Sequence, residues 1–99
     1  VASPSKHQLE RWIHEQAQDS YHIAFTKHAR QRMRQRGITQ LMVLEVLRRG
    51  VLRQEPEPDI RFAGLKCRME YWLCGMQVGV VVHIEYPAPD LLVITVIDI

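Results

Sequence analysis

Cysteine is scarce in this chain: Cys67 and Cys74 are the only two among 99 residues. Their spacing fits neither a disulfide framework nor a zinc knuckle, which points to a reducing compartment. If both sit on one strand, their odd separation turns them to opposite faces, and no easy bridge forms. Long apolar runs are missing as well. The longest, near the C-terminus, falls far short of the roughly 20 residues that a membrane helix needs, so no membrane partner is expected. No signal peptide is visible, although the chain begins without Met and can be a fragment of a longer one. The expected location is the cytoplasm. There is no phosphate-binding glycine loop, no Rossmann fingerprint and no nucleophile elbow, and His, Cys and acids do not cluster at metal spacing. Neither a metal nor another cofactor is therefore expected. The length suits one domain, 1–99, with a modest core of its own.

Acids are missing from one stretch and cations from another. From Ser20 to Gln54 there are eight basic residues (Lys27, Arg30, Arg32, Arg34, Arg36, Arg48, Arg49 and Arg53) against Glu45 alone. From Met69 onward there is no Lys or Arg, against Glu70, Glu85, Asp90 and Asp98. That asymmetry suggests a cationic binding face on a scaffold whose other side is acidic. Basic runs are most often solvated helix faces. Here no acids interleave, which favours a binding face.

The densest basic stretch is TKHARQRMRQRG, Thr26 to Gly37. Thr26 can cap a helix and Gly37 can end it in the left-handed conformation. His28, Arg32 and Arg36 recur every four residues and share one face, while Ala29 and Met33 form the neighbouring apolar stripe. Like charges four apart repel by a few tenths of a kcal/mol per pair, a cost that an anionic partner would offset.

The rest reads as helices first and strands last. A first helix is expected within residues 1–20, starting near Ser3 with Pro4 at its first position and a Ser5-x-x-Gln8 capping box. Leu9, Trp12, Ile13 and Ala17 are its apolar stripe. His7 and His14 lie near one face of it, without an acid or sulfur to complete a metal site. Tyr21 to Phe25 alternates as a short strand with Tyr21, Ile23 and Phe25 on one side. Thr39 caps a helix running to Gly50, and Arg48 and Arg49 suit the dipole of its last turn. Val51 to Gln54 reads as a short strand, and EPEPD as a loop whose two prolines forbid regular pairing. Ile60 to Leu73, broken by Gly64, carries Lys66, Arg68, Glu70 and Trp72 on one face and Leu65, Cys67, Met69, Tyr71 and Leu73 on the other. Gly75, Met76 and Gln77 are expected to turn into a strand Val78 to Glu85, and Tyr86 to Asp90 into a last strand Leu91 to Ile99. The expectation is α+β, with N-terminal helices packed on one antiparallel sheet.

The chemistry-bearing set is His28 with arginines on its own face. A histidine moves protons near neutrality and arginines clamp phosphate bidentately. Together they suit RNA cleavage by the neighbouring 2′-hydroxyl, with His28 as acid or base and Arg32 and Arg36 stabilising charge on phosphorus. Spacing alone leaves open the alternative that His28 caps or packs and the arginines pair with acids on the sheet. A third reading is a DNA-binding helix-turn-helix over Thr26–Arg36 and Thr39–Arg49, but its reading helix would be nearly all apolar.

His28, Ala29, Arg32, Met33, Arg36, Gly37 and Ile38 form a His-Ala-x-x-Arg-Met-x-x-Arg-Gly-Ile core, and Ile94, Thr95 and Val96 a closing Ile-Thr-Val strand. In these the chain resembles the bacterial family known as domain of unknown function 4258, over a core placed at 21–99. That family looks related to the RelE/BrnT toxins. The resemblance implies a RelE-like domain, a metal-independent endoribonuclease acting on mRNA, with possible ribosome association. It implies a protein antitoxin as partner, or an immunity protein if the domain is the tip of a secreted effector. It adds Thr95 to the catalytic set of His28, Arg32 and Arg36. Lys27, Arg30, Arg34, Lys66 and Arg68 are implied as RNA-binding residues. The chain ends VIDI, without the C-terminal Tyr or Lys of RelE-type toxins, so the resemblance names no general acid. The competing expectation is a non-catalytic domain that binds nucleic acid or a partner protein through the basic helix 26–36.

Overall fold

The computed structural model describes residues 4–59 and 63–99; Ser3, the expected helix start, and Ile60, Arg61 and Phe62 lie outside them. Ser5 is the N-cap of α1 (Lys6–Gln16), and its hydroxyl and Gln8 form the reciprocal capping box. Pro4 therefore precedes the cap. A 3₁₀ turn (Ser20–His22) leads into β1 (Ile23–Phe25), so only Ile23 and Phe25 face inward and Tyr21 projects into solvent at 95 % exposure. Next come α2 (Lys27–Arg36) and α3 (Gln40–Arg49), with Gly37 between them at φ 66°. Thr26 and Thr39 cap these helices by accepting from the N–H groups of Ala29 and Met42.

The strands are β2 (Val51–Leu52), β3 (Glu57–Pro58), β4 (Leu65–Leu73), β5 (Met76–Ile84) and β6 (Leu91–Asp98). They form a six-stranded sheet in the order β1-β6-β5-β4-β2, with β3 also pairing β4. Strands β4, β5 and β6 make the expected antiparallel meander. The sheet as a whole is mixed, because β1 pairs parallel to β6. This corrects the expectation of a purely antiparallel sheet. β6 is consequently not the sheet's edge: β1 covers Leu91–Val93, and α2 packs along the strand, with the Thr26 N–H and hydroxyl donating to the carbonyls of Val93 and Ile94. Proline does not exclude pairing at Glu57–Pro58, since β3 is an edge strand where a missing donor is tolerated. The β4–β5 turn is Cys74–Gly75, both at positive φ (52° and 75°), which is the two-residue hairpin geometry. Met76 and Gln77 thus belong to β5.

Alternation sorts the sheet. Cys67, Met69, Val78, Val80, Val82, Ile84, Leu91, Val93 and Val96 join Leu9, Ile13, Ala29, Met33, Val43, Val46 and Leu47 in one core on the helix side. Each Val, Leu, Ile or Met among them contributes about 1.5–3 kcal/mol on full burial. α3 buries Val43, Leu44, Val46 and Leu47 and leaves Gln40, Leu41 and Arg49 exposed. α1 is tied in by polar bonds. Leu52 N–H donates to Glu10 at 2.8 Å, His14 Nε2 to the Gly50 carbonyl at 2.7 Å, and Arg48 Nε to the Ala17 carbonyl at 2.7 Å. Gly50 lies between the end of α3 and β4; a Cβ there would sit 2.4 Å from the Val46 carbonyl oxygen and 2.8 Å from that of Glu70.

Candidate nucleic-acid interface

The other sheet face carries no helix among the described residues. Its rows follow the register. Lys66, His83, Leu92 and Ala24 lie side by side, then Arg68, Val81 and Thr95, then Glu70, Gly79 and Ile97, with Trp72 beside Gln77 at the far end. α2 borders this face along β6. One residue step is 100° of helix, so Arg30 and Arg34 flank the buried Ala29–Met33 stripe on one side and His28, Arg32 and Arg36 on the other. Arg30 sits over the Phe25 ring, 5.2 Å from its centroid, and that ring packs against the core. Thr95 lies on the open face of β6, the strand against which α2 packs.

Charge on α2 is unneutralised. Among the described residues, no carboxylate lies within ion-pair distance of Lys27, Arg30, Arg32, Arg34 or Arg36. Three cations elsewhere are engaged, Arg49 with Glu45 at 3.2 Å and Arg53 and Arg68 with Glu70 at 3.6 and 3.0 Å, while Arg11 and Lys66 also meet no carboxylate among the described residues. Arg68 Nε is bonded to the buried Glu70 carboxylate. That bond holds a buried carboxylate in a charge-assisted pair. Lys66 is half-buried and sits opposite His83. His28 and Arg36 are exposed and Arg32 is half-buried. Thr95 is half-buried, and among the described residues its hydroxyl makes only a long 3.5 Å contact, to the Val96 carbonyl. Both cysteines are free. Burial pushes the Cys67 thiol up to about 12, and Cys74 is exposed in its turn.

One part of this face is not foreshadowed by the basic motif. His83 Nδ1 lies 2.8 Å from Asp59 Oδ2, with both side chains largely buried. Beside it opens a cleft of about 410 Å³ whose described lining includes Tyr21, His22, His83, Glu85, Asp90 and Leu92. His22 is bracketed by Asp19 at 3.8 Å and Asp90 at 3.6 Å. Strand alternation in β5 places His83 on the open face once the turn is set at Cys74–Gly75; nothing local signals the cleft.

These features define an α+β domain with an unpaired cationic helix beside an uncovered sheet face. The chain belongs to the family described as Domain of unknown function (DUF4258), whose model matches residues 25–98. Neither a curated protein nor a solved structure matches it. Among the described residues, no helix is long and apolar enough to cross a membrane.

Proposed function

We propose that this domain is a small endoribonuclease toxin of the RelE/BrnT kind, acting on mRNA in the cytoplasm and restrained by a protein antitoxin or immunity partner. The observation that carries the reading is the helix α2, whose five cations meet no carboxylate among the described residues. An anion absent from the fold itself is the natural partner, and arginine at i and i+4 spaces two forks about 6 Å apart along the helix. In the reaction, His28 takes the proton of a ribose 2′-hydroxyl. That oxygen attacks the adjacent phosphorus, the bond to the 5′-oxygen breaks, and the leaving oxygen gains a proton. Arg32 and Arg36 stabilise the extra charge on the pentavalent phosphorus, and Thr95 orients the phosphate from the sheet. The products are a 2′,3′-cyclic phosphate and a 5′-hydroxyl, and no step requires a metal.

A specific observation favours a second reading, non-catalytic RNA binding by the same surface. His28 is exposed and has no hydrogen bond to orient its ring among the described residues. RNA cleavage by wild-type and His28→Ala protein in EDTA, with end-group analysis, separates the two. Cyclic-phosphate ends lost in His28→Ala support the nuclease. Salt-sensitive RNA binding without cleavage, on ribosomes as well as on free RNA, leaves the binding module.

A further inference from the structure

We propose that the cleft between the 3₁₀ turn and the β5–β6 turn is a guanine-binding subsite, read by the Glu85 carboxylate. Its volume of about 410 Å³ lies within the range of small-ligand sites. Leu92 and Ala24 line it with apolar atoms, and the 95 %-exposed Tyr21 ring stands at its rim, available for stacking on a flat ring. The cleft's described lining holds two carboxylates, Glu85 and Asp90, and two histidines, His22 and His83, with no Lys or Arg among them. Two carboxylates without a Lys or Arg suit a base with N–H donors better than a phosphate.

The two carboxylates differ. Asp90 Oδ1 lies 3.6 Å from His22 Nδ1. Glu85 has no ion pair among the described residues. Its side chain occupies space that a side chain at position 64 would take, since a Cβ on Gly64 would come within 3.1 Å of Glu85 Cγ and 2.8 Å of His83 Cε1. A carboxylate accepts two parallel N–H bonds. Among the four RNA bases, only guanine offers two adjacent ring-edge donors, N1–H and the N2 amino group, in that arrangement. The cleft is joined to α2 through β1 and β6. Leu92 precedes Thr95 by three positions on β6, about 10 Å of strand, and β1 runs from Ala24 straight into the N-terminus of α2. A base seated in the cleft lies on the strand pair from which α2 starts. The assignment of the base to RNA rests on the proposed function; the base preference itself does not.

The test is binding of guanosine, inosine, adenosine, cytidine and uridine to the intact domain, followed by amide chemical shifts. Nucleosides lack phosphate and probe the cleft whether or not the protein cleaves RNA. Guanosine should bind saturably, shifting Leu92 and His83, at least about tenfold tighter than inosine, which lacks the N2 amino group. Glu85→Gln should erase that preference and Asp90→Asn should keep it. Equal responses to all five, no binding, or a preference that survives Glu85→Gln would overturn the proposal. For the source of the base, a 2′-O-methyl UGU trinucleotide should bind tighter than GTP and be weakened by Arg32→Gln. Tighter GTP binding would refute the RNA assignment. Guanosine binding by a protein that cleaves no RNA would uphold the subsite and remove the nuclease.

Discussion

Arg32→Gln separates a binding role for α2 from a structural one. Arg32 and Arg36 are four apart, so removing one relieves a repulsion of roughly 0.2–0.5 kcal/mol. Gln has a helix propensity close to that of Arg, and it keeps two of the three stem methylenes that half-bury Arg32. No described carboxylate loses a partner. The net change in folding free energy should stay within about 0.5 kcal/mol of zero, against about 1–3 kcal/mol for breaking a charge-assisted bond. Urea unfolding reads this as a shift in midpoint at constant m-value. Binding of a single-stranded RNA should respond very differently. Each phosphate contact adds about 0.7 to the slope of log affinity against log salt. Arg32→Gln should lower the slope by about that amount, and a triple variant at Arg32, Arg34 and Arg36 by about 2. Destabilisation beyond about 1 kcal/mol, or a slope unchanged in the triple variant, would refute the assignment of these arginines to an external anion.

Three further outcomes follow from the fold. Thr26→Ala removes both the cap to Ala29 N–H and the bond to the Ile94 carbonyl; it should cost about 1–2 kcal/mol by urea titration, and Thr26→Ser should recover most of it. Cys67 ionises at about 12 in the fold against 9.0 ordinarily. A raised folded value means stability is intact below pH 9 and is lost as pH climbs toward 12. The loss should reach about 1.4 kcal/mol by pH 10 and be absent in Cys67→Val, while a thiol reagent at pH 8 labels Cys74 alone in the native protein. Cys74→Gly, at φ 52° in the hairpin turn, should raise stability by about 0.5–1 kcal/mol, because the left-handed conformation penalises any Cβ.

How far the sequence reaches depends on the range of the physics. Caps and stripes are local, so α2 and α3 are legible from Thr26, Gly37, Thr39 and their apolar positions, and period-two alternation places Lys66, Arg68 and Trp72 on the open face of β4. Even the Arg68–Glu70 bond lies within that rule, two residues apart on one face. The parallel pairing of β1 with β6 is not legible. Three residues carry too little pattern to choose a partner, and the bond that secures the junction joins Thr26 to Ile94 across 68 positions. The cleft is harder still, because the 3₁₀ turn, β1, β5 and the β5–β6 turn each contribute only one to three side chains. Its walls exist only because β1 joins the sheet beside β6 instead of β4. That pairing sets Ala24 beside Leu92 and, by continuity of the chain, starts α2 at the border of the open face. One parallel strand thus builds the cleft and delivers the cations next to it. A variant that unpairs β1, such as Ala24→Pro, which deletes a backbone donor and fixes φ, should therefore lose nucleoside binding and salt-dependent RNA binding together. Retention of either would show that the two features are positioned independently.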